Sequence, residues 1–264
     1  MSQVRSLSAA PTSKQHMSNF YEIQRLKYGE GWSGSYSSWE EAEKQSIGYS
    51  DPKIVEQVKS ALLSTKDKSD RYEIDGCIRQ GKPQSAFDLL YWIKESAVNG
   101  HINIVDFGGS LGTVFYQLRP YLKDYTVRWN IIEQDNFVKI GRDTFQNENL
   151  KFYHTIEECF TETKPNCFLA SGSLTYIPKP YEVIQSLKSY NFDWIILART
   201  SIVTEDTDKL TIQIVPPQIY KAIYPCWFFS QSKLVKAVTQ MGFKHSVVFS
   251  GSASFLKGYV FQKE

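Results

Sequence analysis

The spacing of apolar residues changes near residue 100 of the chain. Before that point they recur at intervals of three and four residues, which predicts one helix that starts at Asp51-Pro52 and another over residues 85–98. The charged stretch 65–76 between them is predicted to be a loop. Residues 28–49 combine glycine, serine and aromatic residues, so an ordered loop is predicted there as well. The first hundred residues are therefore expected to be helices joined by loops.

From Ile102 onward, short apolar runs alternate with helical patterns, which is typical of a parallel α/β sheet. The predicted strands are Ile102–Phe107, Trp129–Ile132, Leu150–Tyr153, Cys167–Ala170, Trp194–Ala198, His245–Phe249 and Gly258–Phe261. The predicted helices between them are Thr113–Leu122, Asn136–Phe145, Pro180–Tyr190 and Gln231–Met241. Only a short gap separates the last two strands, so we expect them to pair as an antiparallel hairpin. The predicted fold is α/β, with a seven-stranded, mostly parallel sheet.

Composition narrows the range of functions. Hydrophobic residues make up 42% of the chain and charged residues 22%, which predicts a buried core. The net charge of +2 gives no basis for nucleic-acid binding. No apolar run approaches the length of a membrane span, and the first residues lack the apolar segment of a signal peptide, so a cytoplasmic protein is expected. The four cysteines form no C-x-x-C pair, which argues against a zinc site or a disulfide framework.

A glycine-rich turn follows the first predicted strand of the sheet, in the segment IVDFGGSLGTVF at residues 104–115. A P-loop would need a G-K-[ST] triplet, which this segment lacks, and a dinucleotide fingerprint would need glycine where Phe107 stands. The pattern [DE]-x-G-x-G-x-G fits at three of its four positions, with a serine at the middle glycine. The residues predicted to bind a cofactor here are Asp106, Gly108, Gly109, Ser110 and Gly112. An open alternative for Asp106 is that it only stabilises the turn.

An acidic residue, Glu133, closes the next predicted strand and is followed by Gln134. A carboxylate at this place can accept hydrogen bonds from both hydroxyls of a ribose, and it would repel a 2′-phosphate. We therefore predict that Glu133 and Gln134 border a ribose. The alternative for Glu133 is a solvated carboxylate at a strand end.

With these segments the chain resembles the class I S-adenosylmethionine (SAM)-dependent methyltransferases. More narrowly, it resembles a family of methyltransferases encoded among bacterial surface-polysaccharide genes. The resembling segments are YGEGWSGSYSSWEEA, VDFGGSLGTVFYQ, WNIIEQDNFV, LKFYHTIEEC, LASGSLTYIPKPYEVI, ILARTSI and LTIQIVPPQIYKAIYPCWFFS. The resemblance implies a Rossmann-like class I methyltransferase fold, SAM as the cofactor and methyl transfer as the reaction. It implies no particular acceptor.

The sequence, taken with this resemblance, predicts a domain organisation. Residues 1–20 are predicted to be a disordered tail, and residues 21–100 a helical and aromatic N-terminal extension. Residues 101–264 would form the SAM-binding domain, with an insertion at 199–229 on the substrate side. Residues 28–49 are predicted to be a lid over the site, whose aromatic residues screen the sulfonium from water. The alternative is that these aromatic residues hold the N-terminal helices against the sheet.

Ligands in an open α/β sheet bind beyond the carboxyl ends of its strands, which identifies further candidates. Those predicted to border the cofactor are His154, Ser171 and Gly172. Those predicted to bind the substrate are Tyr36, Trp39, Ser173, Tyr176, Arg199, Tyr220, Tyr224 and Trp227. For Arg199 a structural ion pair is an equal alternative, and for the aromatic residues the alternative is packing against the sheet edge.

Methyl transfer from a sulfonium releases a neutral thioether, so the reaction needs alignment and exclusion of water but no acid for the leaving group. A hydroxyl acceptor would need a base, and weak candidates are His154, Asp206, Asp208 and Tyr220. An amine acceptor is already nucleophilic when neutral, so it would depend less on a base. The predicted function is O- or N-methylation of a small molecule or a glycan. Two alternatives stay open: a catalytically degenerate binding or scaffold protein, and an NAD-dependent oxidoreductase, which Phe107 disfavours.

Overall fold

The computed structural model describes residues 13–47, 52–250 and 253–264. The predicted tail up to residue 12, the end of the predicted lid and the predicted cap Asp51 lie outside the described residues. The α-helices are α1 (Ser13–Tyr28), α2 (Trp39–Glu43), α3 (Pro52–Thr65), α4 (Gln84–Glu95), α5 (Thr113–Leu118), α6 (Asp135–Thr144), α7 (Ile156–Glu162), α8 (Pro180–Ser186) and α9 (Gln231–Thr239). The strands are β1 (Gly31–Tyr36), β2 (Arg71–Ile74), β3 (Cys77–Gln80), β4 (His101–Phe107), β5 (Thr126–Ile132), β6 (Leu150–Tyr153), β7 (Cys167–Ser171), β8 (Trp194–Val203), β9 (Lys209–Ile214), β10 (Ile223–Ser230), β11 (Phe243–Ser250) and β12 (Leu256–Lys263).

The seven strands predicted from the sequence lie side by side in the order β6-β5-β4-β7-β8-β12-β11. Strands β4 to β8 are parallel, and β12 runs antiparallel to both of its neighbours, β8 and β11. The central strands are apolar over most of their length because helices cover the sheet on both faces. The predicted Rossmann-like α/β fold, mostly parallel with antiparallel strands at one side, is confirmed.

Three further strands extend this sheet, and the sequence analysis missed all of them. Strand β10 continues along the end of β8 for two residue pairs, and then β9 and β1 follow, each antiparallel to its neighbour. Within the described residues the sheet thus has ten strands, and residues 28–47 contain a strand and a short helix where a loop had been predicted. Strand β1 was hard to recognise from the sequence because it contains two glycines, which are uncommon in strands. In the structure Gly31 and Gly34 have positive φ angles of 101° and 78°. An edge strand tolerates such residues, since one of its sides has no neighbour to pair with.

The charged stretch at 65–76 also differs from the prediction. Strands β2 and β3 form a separate two-stranded hairpin whose turn is Asp75-Gly76, with φ angles of 51° and 73°. An Asp-Gly pair is a strong signal for the tight turn that joins two antiparallel strands, because both of its positions need positive φ. The loop prediction for residues 65–76 had been based on the charged residues before the turn, not on the turn itself.

The described part of the predicted tail, residues 13–20, is helical and belongs to α1. The fully buried Tyr21 fixes this helix, because its hydroxyl donates a hydrogen bond of 2.5 Å to the carbonyl oxygen of Val215. Helix α5 stops four residues before its predicted end, at a short 3₁₀ turn that contains Pro120. In the described part of the chain, no helix has the length and apolar character required to cross a membrane.

Candidate functional site

The glycine turn lies between β4 and α5, at the carboxyl edge of the sheet. Gly108, Ser110 and Gly112 have φ angles of 70°, 57° and 100°, which turn the backbone through the left-handed region. A Cβ at Gly108 would lie 2.3 Å from the Cβ of Ser173, so no larger residue fits. The hydroxyl of Ser173 donates a hydrogen bond of 2.5 Å to the carbonyl oxygen of Phe107. The predicted substrate residue Ser173 therefore supports the turn.

Asp106 lies behind the turn, with 1% of its surface exposed. Its carboxylate accepts a hydrogen bond of 2.8 Å from the indole nitrogen of Trp129, and a Cβ at Gly109 would lie 2.5 Å from its Oδ2. Burial raises the pKa of Asp106 to about 7, and the Trp129 hydrogen bond only partly opposes this shift. The contacts of Asp106 are thus those of a residue that stabilises the turn from inside, which was the alternative left open for it.

Glu133 lies at the carboxyl end of β5, directly across from the turn. Its Oε1 accepts the backbone N–H of Ser110 at 3.2 Å, and its Oε2 accepts that of Gln134 at 2.9 Å. Desolvation raises the pKa of Glu133 to about 7, against the effect of these two hydrogen bonds. The structure therefore brings together Glu133, Gln134 and the turn, as the sequence predicted, and each carboxylate oxygen keeps lone pairs for further donors.

The remaining cofactor candidates lie at two different strand ends. Ser171 and Gly172 close β7, next to the turn, and Gly172 has a φ angle of 76°. His154 follows β6, which the sheet order separates from β7 by two strands. Its Nδ1 lies 3.0 Å from the Oδ1 of Asp135. His154 is therefore placed on the side of Glu133 and away from the β7 and β8 ends.

A polar cluster occupies the ends of β7 and β8. A guanidinium nitrogen of Arg199 lies 2.9 Å and 3.3 Å from the two carboxylate oxygens of Asp75, and this carboxylate raises the pKa of Arg199. Tyr176 packs edge-on against Tyr224, with 5.1 Å between the ring centroids, and its hydroxyl donates a hydrogen bond of 2.7 Å to Gln213. Tyr220 is close enough for its pKa to be affected by both Asp75 and Arg199. Four predicted substrate residues thus meet here, together with Asp75, which the sequence analysis missed.

The backbone at Arg199 is unusual. Its φ angle is 50°, and the pairing of β8 with β12 shifts by one residue at this point. A non-glycine residue in the left-handed region is strained by roughly 1–2 kcal/mol, and such strain is frequent at functional sites. The bulge ends the regular strand where Arg199 meets Asp75.

The β2–β3 hairpin contributes a second acidic residue, Glu73, which no pattern in the sequence had indicated. Only 2% of its surface is exposed, and its carboxylate accepts hydrogen bonds from the hydroxyl of Thr113 and, at 2.8 Å, from the backbone N–H of Gly76. Burial raises the pKa of Glu73 to about 7. Because Thr113 is the first residue of α5, Glu73 links the hairpin to the helix that follows the glycine turn.

The aromatic residues of the predicted lid lie against β9 and β10. Trp39 stacks on Trp227, with 6.4 Å between the ring centroids, and the indole of Trp227 donates a hydrogen bond of 3.2 Å to the carbonyl oxygen of Ile177. The indole nitrogen of Trp32 lies 3.2 Å from the Sγ of Cys226, and Tyr36 packs in the cluster around Tyr21. These contacts belong to the alternative in which the aromatic residues hold the extension in place. Closure of the segment over a ligand stays a prediction.

The two aspartates proposed as bases lie near the start of α9. Asp208 accepts hydrogen bonds from the backbone N–H of Ser230 at 2.7 Å and from the hydroxyl of Tyr181 at 3.0 Å. Its second oxygen lies 3.4 Å from the ammonium group of Lys233. Asp206 accepts a long hydrogen bond of 3.4 Å from Ser232. Asp208 therefore has contacts that fix the β8–β9 connection to α9, and neither residue is among those that surround Arg199.

No protein-family model and no curated protein matches this chain. Solved structures show a likeness in fold. The N-terminal domain of EvdMO1 with SAH bound is 14% identical over 80% of this chain and 96% of its own, with a TM-score of 0.48. The CcbJ methyltransferase from Streptomyces caelestis is 10% identical over 81% of this chain and 99% of its own, with a TM-score of 0.48. The magnesium protoporphyrin IX methyltransferase from Synechocystis PCC 6803 with bound SAH is 10% identical over 69% of this chain and 83% of its own, with a TM-score of 0.47. At such low identity these likenesses concern the path of the chain alone.

Proposed function

We propose that the protein is a SAM-dependent methyltransferase that acts on a small molecule or a glycan. The observation that carries the proposal is the position of the Glu133 carboxylate, within hydrogen-bond distance of the Ser110 N–H of the glycine turn. An acid and a close backbone turn at neighbouring strand ends suit the ribose and the amino-acid part of a nucleoside cofactor. The reversed strand β12 between β8 and β11 is the ending expected of class I methyltransferases.

The residues of the turn fit such a cofactor. The positive φ angles of Gly108 and Gly112 turn the backbone sharply between β4 and α5, at the strand end where the proposal places the cofactor, and Glu133 can accept two hydroxyl donors once it is ionised. Bound SAM would supply an activated methyl group on a sulfonium. In the proposal, Glu133 and Gln134 orient the ribose, and Ser171 and Gly172 border the methionine part.

The acceptor is proposed to bind in the polar cluster at the ends of β7 and β8. Desolvation raises the pKa values of Tyr176 and Tyr220, the latter to about 12, so both hydroxyls are neutral near pH 7. Neutral phenols donate and accept hydrogen bonds but take up protons poorly. Together with Arg199 and Asp75, they suit a polar acceptor whose attacking atom needs little help from a base, as a neutral amine does, or one that brings its own acidic hydroxyl.

Calorimetric titration with SAM and with NAD tests the cofactor directly. We expect binding of SAM, and a loss of about 1–3 kcal/mol in binding free energy in Glu133→Ala because hydroxyl groups of the ligand lose their acceptor. Unchanged affinity in that variant would remove the ribose assignment. Binding of NAD in place of SAM would instead support the oxidoreductase alternative.

Release of SAH from SAM, measured while extract fractions are added, separates an enzyme from a scaffold protein. A methyltransferase produces SAH only with fractions that hold its acceptor, whereas a degenerate protein binds SAM and never turns it over. Because the resembling family is encoded among surface-polysaccharide genes, nucleotide sugars and glycan fragments are the first fractions to test. Turnover confined to other fractions would exclude a glycan acceptor.

A further inference from the structure

A cavity lies between the end of α3, the β2–β3 hairpin, one face of α5 and the residues that follow α5. Its volume of about 520 Å³ falls within the range of small-molecule sites. Glu73 and Thr113 line this cavity, and the hydroxyl of Thr113 donates a hydrogen bond to the Glu73 carboxylate. None of Ser110, Glu133 or Ser171 lines it. This cavity, called the basic cavity below for its charge, thus shares none of these three residues with the site of the proposed methyl transfer.

Positive charge is concentrated in the basic cavity. The chain as a whole is nearly balanced, with 30 basic and 28 acidic residues, but six basic and two acidic residues line the cavity. The basic ones are Lys66, Lys68, Arg71, Lys82, Arg119 and Lys123. A concave surface with charges of one sign focuses the electrostatic potential and attracts ions of the opposite sign.

Ion pairs neutralise only part of this charge, and one of them joins Arg71 to Asp70 at 3.1 Å. Asp67 already forms ion pairs with Lys66 and Arg119, with N–O distances of 2.5 Å and 2.9 Å. Glu73 faces the hairpin turn and α5 through its hydrogen bonds. Among the described residues, no carboxylate oxygen lies within 4.0 Å of the ammonium groups of Lys68, Lys82 and Lys123. These three cations are available to an anionic ligand.

The floor of the basic cavity is aromatic and apolar. Tyr72, Tyr116 and Tyr121 line it, and the side chains of Leu62 and Pro83 beside them are buried. The guanidinium group of Arg119 lies over the ring of Tyr116, 5.2 Å from its centroid. Since Arg119 covers Tyr116, a flat ring could stack on the partly exposed Tyr72 or Tyr121 while an attached anion reached the lysines at the rim.

We propose that the basic cavity binds a phosphorylated small molecule that also carries a flat ring, with a nucleoside diphosphate as the class. The lysines hold the diphosphate, and the tyrosines hold the ring. The inference rests on the charge and the lining of the basic cavity, so its test does not depend on whether the protein transfers methyl groups.

Calorimetric titration of the full chain with UDP tests the proposal, with inorganic pyrophosphate and uridine as partial ligands. We expect UDP to bind at least tenfold more tightly than uridine and at least threefold more tightly than pyrophosphate, with an affinity that falls as salt is added. No measurable binding of UDP, or equal binding of uridine, would overturn the proposal. If pyrophosphate bound as tightly as UDP, the proposed contact between the ring and the tyrosines would be wrong.

Charge reversal locates the ligand. The double variant K82E/K123E changes two exposed lysines of the cavity, and K139E/K188E changes two exposed lysines elsewhere by the same total charge. The first variant should lose at least tenfold in UDP affinity and the second less than twofold, with similar melting temperatures for both. Equal losses would show that only overall charge matters and would refute the site.

The glycine turn is itself a candidate for nucleotides, so the two sites must be distinguished. We expect Glu133→Gln and saturating SAH to leave UDP affinity unchanged. Displacement of UDP by SAH would place the nucleotide at the turn and overturn the proposal for the basic cavity. Loss of SAM binding in Glu133→Gln with UDP binding intact would support both assignments separately.

Discussion

The buried carboxyl group of Asp106 should make the stability of the protein depend on pH, and Asp106→Asn should remove that part of the dependence. Because the folded protein raises the pKa of Asp106 from 3.8 to about 7, the folded state binds a proton that the unfolded state has already lost between these two values. The free energy of unfolding therefore falls as the pH rises through this window. Asparagine keeps the shape of the side chain and an oxygen for the Trp129 indole, but does not titrate.

The size of the effect follows from the two pKa values. At pH 5 nearly all folded molecules carry the proton on Asp106, and at pH 8 few do. With a folded pKa of about 7, the contribution of Asp106 falls by about 2.5 kcal/mol between these conditions. The asparagine amide leaves an unpaired N–H group in the core, which costs roughly 1–3 kcal/mol at every pH. This constant term cancels when the change from pH 5 to pH 8 is compared between the two proteins.

Urea unfolding at pH 5 and pH 8, followed by far-ultraviolet circular dichroism, measures the difference. Fluorescence is less suitable because Trp129 contacts the substituted group. Relative to wild type, Asp106→Asn should gain about 2.5 kcal/mol between pH 5 and pH 8. The control Asp143→Asn, on the exposed surface of α6, should change the comparison by less than about 0.5 kcal/mol. Identical pH dependence in wild type and Asp106→Asn would refute a buried carboxyl group with a raised pKa.

Three further outcomes are expected. Since the pKa of Glu133 is about 7, SAM affinity should rise by about tenfold from pH 6 to pH 8 in calorimetry, and a similar rise in Glu133→Gln would contradict this. Gly109→Ala places a methyl group 2.5 Å from the Asp106 carboxylate, so its melting temperature should fall by several degrees; an unchanged value would contradict the packing of the turn. Tyr21→Phe leaves the carbonyl of Val215 without its donor and should cost about 1–2 kcal/mol in urea unfolding, whereas a neutral result would show that α1 is not held there.

Local patterns predicted the parts of the fold whose strands are buried on both faces. Strands β4 and β8 were recognisable because burial on both faces requires continuous apolar runs. The short gap before β12 identified the β11–β12 hairpin. Strand β1 lacks this signal, and the apolar run of β10 contains Pro225, which disfavours a strand inside a sheet. Strand β1 is held by its pairing with β9, which is distant in the sequence.

The cofactor side of the candidate site could be predicted for the same reason. Asp106 and Glu133 end recognisable strands, and parallel strands bring their ends to one edge. Asp75 and Glu73 could not be placed, because their position depends on how the hairpin packs against α5 and β8. The Asp-Gly turn was visible in the sequence, but the place where the β2–β3 hairpin packs was not.

The pairing of β1 with β9 has a consequence for the order in which the chain folds during synthesis. The hydrogen bond that fixes α1 joins residues 194 positions apart. At ordinary translation rates of about 5–20 residues per second, the first helix and strand emerge from the ribosome on the order of 10–40 s before their partner. During this interval Tyr21, Trp32 and Trp39 lack the partners Val215, Cys226 and Trp227 that they contact in the folded protein. The segment that carries α1 and β1 is therefore synthesised well before it can reach its folded position, and the length of this delay depends on the rate of translation.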